Sequence, residues 1–227
     1  MYFVFQAEVG VSSRGRHTGS CHVTGVQTCA LPISENIARV IWQRLAPHLP
    51  LVKVQLFEHP ELWADYMGNG MEAYLTISTH FSAAHRLASP HLSDEKNFEI
   101  YGKCARPHGH GHNYHLEVTV KGKIDPRTGM IADLGDLNTI IKDYVLEPFD
   151  HSFLNKDIPH FAEAVPTAEN IAFHISNLLR SPIADTGAKL HKIKLIESPN
   201  NSCEIYCSNA ESDSYNSLDK EPVLLQV

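Results

Sequence analysis

Between Phe81 and Tyr114 the chain carries His85, Cys104 and the run His108-Gly109-His110-Gly111-His112-Asn113-Tyr114. Neutral imidazoles are metal ligands, and a thiol among them is either a further ligand or a reactive group. Successive side chains of an extended segment alternate faces, so His108, His110 and His112 are expected to project together with only glycine between them. Two of them, joined by His85, would offer three nitrogen donors to a divalent ion. Three protein donors with a fourth position open is the catalytic zinc pattern, whereas a structural zinc is more often closed by thiolates, and only Cys104 is near. The competing reading is a solvated histidine-rich loop.

The elements that must position these residues can be read from periodicity. Tyr114, Leu116, Val118 and Val120 alternate with polar neighbours, a half-buried strand that begins where the histidine run ends. Asp125-Pro126-Arg127-Thr128-Gly129 is turn chemistry and predicts a hairpin partner through Met130 and Ile131. Leu137, Ile140, Ile141, Tyr144 and Val145 recur at helical spacing, with Asp136 as the expected cap and Pro148 as the end. A second helix follows Pro166, capped by Thr167, with Ile171, Ile175, Leu178 and Leu179 on its buried side. Leu190 to Glu197 and Cys203 to Cys207 read as two more strands around Ser198-Pro199-Asn200-Asn201. The order predicts an α+β domain, an antiparallel sheet with helices on one face.

Composition sets outer bounds. With 227 residues, 43% hydrophobic and 20% charged, the chain suits one substantial domain or two small ones. No stretch approaches the roughly 20 apolar residues of a membrane span. Met1 to Gly10 lacks a basic segment followed by an apolar core, so no secretory signal is expected. Nineteen basic against 26 acidic residues give a net charge of −7, which argues against nucleic acid and leaves room for a small anionic ligand. The five cysteines, Cys21, Cys29, Cys104, Cys203 and Cys207, show no framework spacing, which fits a reducing cytoplasm.

FSAAHRL, LSDEKNFEIYGKC, HGHGHNY, IDPRTGM, Asp133-Leu134, PFDH, TAEN from Thr167 to Asn170 and LIESPNN follow one another from about residue 72 to 206. Together they resemble the family of 6-pyruvoyl-tetrahydropterin synthase and its relative 6-carboxy-tetrahydropterin synthase. The resemblance implies a tunnelling fold (T-fold), in which subunits join their sheets into a barrel, and a zinc lyase acting on 7,8-dihydroneopterin triphosphate. It puts the zinc ligands on His85, His110 and His112, and leaves His108 where members need no histidine. It further implies Cys104 as the catalytic thiol, Asp150 and His151 as a proton-relaying pair, and Glu197 as the carboxylate that anchors the pterin, with Thr167 and Glu169 assisting. Five residues separate Cys104 from His110, a spacing that resembles the pyruvoyl-forming enzymes; the carboxy-forming ones of the queuosine pathway are the alternative. A homo-oligomer with sites shared between subunits is expected.

In that reading the reaction begins by taking a proton from carbon on the substrate side chain and loses triphosphate. Zinc would polarise the side-chain oxygens, and Cys104 would act as base through its thiolate. His151, oriented by Asp150, would move protons on the opposite side. Glu197 would match the paired N–H donors of the amino-pyrimidinone edge. A non-catalytic pterin- or metal-binding module, and a Cys104 nucleophile beside His151 acting on an acyl group, are the readings from other classes.

The front of the chain holds an internal repeat. Ser34-Glu35-Asn36-Ile37-Ala38, a helical pattern through Ile41 and Leu45, and Leu51 to Glu58 followed by Pro60 repeat Ala168-Glu169-Asn170-Ile171-Ala172 and Lys192 to Glu197 followed by Pro199. Lys53 then matches Lys192, and Glu58 matches Glu197. The expected organisation is an unassigned N-terminus over 1–10, then 34–70 as the C-terminal half of a truncated first copy, 71–207 as the complete unit, and a loose polar tail over 208–227. Val23 to Ile33 resembles the translation of a sequencing-adapter oligonucleotide; residues 11–33 are expected to be an artefact of sequencing and to lack stable packing, because their apolar residues follow neither period.

Overall fold

The computed structural model describes residues 3–8 and 33–207, with the backbone alone for 3–8. The elements run β1 (Phe3–Glu8), α1 (Ser34–Leu45), β2 (Leu51–His59), β3 (Leu62–Tyr66), β4 (Glu72–His85), α2 (Asp94–Tyr101), β5 (His110–Lys123), α3 (Leu134–Ile141), α4 (Glu147–Phe149), β6 (Ser152–Phe153), α5 (Leu154–Asp157), α6 (His160–Glu163), α7 (Ala168–Asp185), β7 (Lys189–Ser198) and β8 (Asn201–Tyr206). One sheet takes the order β1-β2-β3-β4-β5-β7-β8, with β6 beside β4. Its pairs are antiparallel except β1 on β2 and β6 on β4.

Alternation gives the sheet two unlike faces. Leu75, Ile77 and Phe81 of β4, Tyr114, Leu116 and Val118 of β5, and Ile193 and Leu195 of β7 are buried together with Ile171, Ile175, Leu179 and Ile183 of α7 and Leu137, Ile141 and Phe149 from α3 and α4. Each such side chain is worth about 1.5–3 kcal/mol when fully buried. The other face is polar and carries the ion pairs Lys194–Glu117 at 3.7 Å and Lys192–Glu204 at 3.1 Å. Thr167 caps α7 as expected, its hydroxyl accepting from the Asn170 amide at 3.3 Å. No helix among the described residues is long and apolar enough to cross a membrane.

Two expectations are corrected and two points are filled in. Met130 and Ile131 form no strand; the amide of Asp125 donates to the Met130 carbonyl at 2.9 Å in a closed loop, and β7 pairs with β5 instead. The cap of the next helix is Asp133, whose Oδ1 accepts from the amides of Gly135 at 2.7 Å and Asp136 at 3.3 Å, so Asp136 falls in the first turn. The helix of α3 runs on through a π segment, Lys142–Leu146, into α4 and ends at Phe149, one residue past Pro148, close to the expected end. Phe3–Glu8, left unassigned by the sequence, is a strand. The readings of 11–32 and of 208–227 lie outside the described residues.

One packed histidine makes the fold sensitive to acid. His174 stacks on His160 with ring centroids 4.2 Å apart and packs against Phe161 and Phe149. Burial first, and then the His160 charge, pull the His174 imidazole down to about 4 from an ordinary 6.5. Between those values the unfolded chain binds the extra proton, so stability is whole above about pH 6.5 and falls as pH drops toward 4. Thermal melts at pH 7 and pH 4.5 should show this fall, and His174→Phe should make it shallower; an unchanged fall in the variant would assign the acid sensitivity elsewhere.

Candidate active site

β4 ends on His85 and β5 starts on His110, and the ladder makes these two residues direct partners; His112 lies opposite Ala83. Because alternate residues share a face, the three imidazoles extend the helix-covered row of Phe81, Ala83 and Tyr114. Their ligand atoms all lie within 4.8 Å of one another, and His85 Nε2 is 3.1 Å from His110 Nε2. His108 does not join them, contrary to the alternation argument: the strand starts after it, and it is exposed. Gly109 turns there with φ 64, and a Cβ on it would stand 2.6 Å from the His85 carbonyl oxygen and from the Phe153 ring. Glycine is therefore required at the point where the chain enters β5.

Burial favours the neutral form of two of the three imidazoles, His85 and His110. His85, 1% exposed, donates from Nδ1 to the Pro166 carbonyl at 2.8 Å, which leaves Nε2 free of a proton. Burial is the largest cause holding both His85 and His110 below the ordinary imidazole range. His112 Nε2 is buried without a hydrogen-bond partner, a loss of about 1–3 kcal/mol for a polar atom. Glu197 lies against the cluster, with Oε1 3.5 Å from His85 Nε2 and 3.9 Å from His112 Nε2. The Tyr114 hydroxyl donates to that oxygen at 3.4 Å, and burial raises Tyr114 so far that it keeps its proton; Asn201 donates to Oε2. Three imidazoles with an orphaned nitrogen and a carboxylate beside them fit a divalent transition-metal ion.

The remaining predicted residues lie outside the metal-holding group. Cys104 sits on a 3₁₀ turn, Gly102–Ala105, after α2; its carbonyl accepts from the Leu87 amide at 3.0 Å, which ties the turn just beyond the end of β4. Its thiol is half-buried and is not part of the metal-holding group. Asp150 and His151 are fastened to the opposite edge of β4: Asp150 Oδ1 accepts from the Ser82 amide at 2.8 Å, and the His151 amide donates to the Ser82 carbonyl at 2.6 Å. The Ser82 amide first, then His151, hold the Asp150 carboxyl below its usual range, and its Oδ2 lies 2.8 Å from His151 Nδ1. His151 adopts φ 57, a backbone state costing about 1–3 kcal/mol that this double clamp imposes. Ala83 pairs with Ser152 on one side and His112 on the other, so His151 and His112 both line one open cavity of about 400 Å³. Thr167 is occupied as a cap, and Glu169 is exposed in the first turn of α7.

Sequence reasoning missed three supports of the site. Tyr114 carried a signal, since it shares the face of His112, but it was read only as a core residue. The Pro166 carbonyl and the Ser82 amide are backbone groups, which no residue type announces.

Known proteins are similar to the chain over the segment that holds this site. The family model for 6-pyruvoyl tetrahydropterin synthase matches residues 74–207. The chain belongs to that family. The 6-pyruvoyl tetrahydrobiopterin synthase of Pongo abelii is 45% identical over 134 residues, which is 59% of this chain and 91% of that protein. The 6-carboxy-5,6,7,8-tetrahydropterin synthase of Rickettsia bellii is 36% identical over 107 residues, 40% of this chain and 78% of that protein. The structure of Caenorhabditis elegans 6-pyruvoyl tetrahydropterin synthase superposes with a TM-score of 0.57 at 38% identity, covering 60% of this chain and 96% of that one. The α+β architecture of the T-fold synthases is thus the one this family member adopts.

Titrating the metal-free chain with Co²⁺ should show one ion bound per chain by its visible absorption, and His110→Ala or His112→Ala should abolish tight binding. At a free ion concentration 100 times Kd, binding should raise stability by about 2.7 kcal/mol. Full-affinity binding by a chain lacking both imidazoles would remove the site.

Proposed function

We propose that this chain is a zinc-dependent lyase that converts 7,8-dihydroneopterin triphosphate to 6-pyruvoyl-tetrahydropterin with loss of triphosphate. The observation that carries the reading is the convergence of His85, His110 and His112 on one face, with Glu197 beside them, inside the segment that matches the synthase family. Zinc held by the three imidazoles would supply Lewis acidity to the oxygens of the substrate side chain, acidifying the adjacent C–H bonds. Cys104, tied just past the end of β4, takes the side-chain proton as base. His151, which lines the cavity with His112, moves a second proton, and Asp150 keeps its ring turned for that transfer. Glu197 accepts from the N–H edge of the pterin, for which Asn201 gives up its bond to Oε2. Thr167 and Glu169 line the approach from the start of α7.

The pyruvoyl product is favoured over the carboxy product by the five-residue spacing from Cys104 to His110 and by the higher identity to the Pongo abelii protein. Zinc-loaded chain incubated with dihydroneopterin triphosphate should release triphosphate, and Cys104→Ala should slow release about 10²–10⁴-fold. Mass spectrometry of the product separates the two synthases. No release by the zinc-loaded chain, with the Cys104 variant indistinguishable from it, contradicts the lyase reading.

A further inference from the structure

The helix-strand-strand unit α1-β2-β3 repeats α7-β7-β8 in hydrogen-bond register as well as in sequence. The offset of 139 positions that takes Val54 to Ile193 carries every pair of the first hairpin onto a pair of the second: Val54↔Tyr66 onto Ile193↔Ile205, Gln55↔Asp65 onto Lys194↔Glu204, Leu56↔Ala64 onto Leu195↔Cys203, Phe57↔Trp63 onto Ile196↔Ser202. The register shift falls at the same step, since His59↔Leu62 corresponds to Ser198↔Asn201. Even the cross-strand ion pair recurs, Lys53–Asp65 at 3.5 Å and Lys192–Glu204 at 3.1 Å.

What the repeat in the sequence cannot show is the company the first unit keeps. β3, the counterpart of β8, is paired antiparallel with β4 from Leu62↔Ile77 to Asp65↔Tyr74. Among the described residues β8 ends the sheet and has no strand on its outer side. We propose that residues 34–66 are a built-in stand-in for a neighbouring copy, closing in cis the edge of β4 on which β8 of a second copy of this chain would otherwise pair. The same offset gives the register of that intermolecular pair: Asn201 opposite Ile77, Ser202 opposite Thr76, Cys203 opposite Leu75 and Glu204 opposite Tyr74. An open strand edge presents unpaired N–H and C=O groups, and adding a strand is the direct way to satisfy them.

A carboxylate at the junction supports the same reading. Glu35, the counterpart of Glu169, is 2% exposed and accepts from the Ile131 amide at 3.2 Å, on the unit that follows. Glu169 is exposed, as a residue is whose neighbouring unit is missing. The stand-in brings the edge without the chemistry, because the metal-holding group among the described residues is His85, His110 and His112 alone. The inference concerns assembly and stands whichever pterin reaction the site performs.

Native mass spectrometry of the full chain against residues 71–227 tests it. The shorter chain keeps the whole segment that matches 91% of the Pongo abelii protein and 96% of the Caenorhabditis elegans structure. The shorter chain should assemble into a species of several copies that the full chain does not form. If both give the same number of copies, β3 is not holding an assembly edge and the proposal fails. Should the shorter chain prove insoluble, Ala64→Pro in the full chain decides, because it disrupts β3 and leaves 71–227 unaltered: more copies per assembly support the proposal, and an unchanged number overturns it.

Discussion

The unshifted pairing of β4 with β5, from Glu72 opposite Lys123 to His85 opposite His110, is the constraint on which the site rests. In a ladder of period two, a slip of one residue would carry His110 and His112 to the polar face and leave His85 alone among apolar neighbours. The slip is prevented along the whole length, because it would also expose Tyr114, Leu116, Val118 and Val120, all of which are buried. The same burial that stabilises the sheet therefore sets the position of the imidazoles. Chemistry at the end of the ladder depends on packing along the rest of it.

The site places polar atoms where burial makes them costly unless paired. His85 is satisfied at Nδ1 by the Pro166 carbonyl, and this hydrogen bond also joins the start of α7 to the end of β4. His112 Nε2 is left without a partner, and Glu197, half in the core, draws on Tyr114 and Asn201. A cation among the three imidazoles would satisfy the orphaned nitrogen and the nearby carboxylate together, so binding and local stability are coupled. His151 shows the same trade in the backbone, with φ 57 maintained by Ser82 at the rim of the cavity.

Much of this was legible in the sequence, and the exceptions have physical causes. The alternation after Tyr114, the Thr167 cap and the two C-terminal strands are local patterns, and they appear where expected. Alternation put two of His108, His110 and His112 beside His85, and the family resemblance, not the period, singled out His110 and His112. His108 misled because the left-handed turn at Gly109 breaks the period, and a glycine letter does not state its φ. Met130 and Ile131 misled because turn chemistry says only that the chain reverses; which strand then pairs with β5 is decided by β7, far along the chain. Asp133 and Asp136 are both able caps, and the choice depends on which amides come free. The internal repeat was visible in Lys53 and Lys192 and in Glu58 and Glu197, yet nothing local announced that β3 would pair with β4.

X-ray absorption at the zinc edge of the loaded chain tests the central claim directly. Three imidazoles should appear as nitrogen scatterers at about 2.0–2.1 Å with their outer-shell ring pattern and no sulfur at about 2.3 Å. A sulfur shell from Cys104, or fewer than three imidazoles around the ion, would contradict the account.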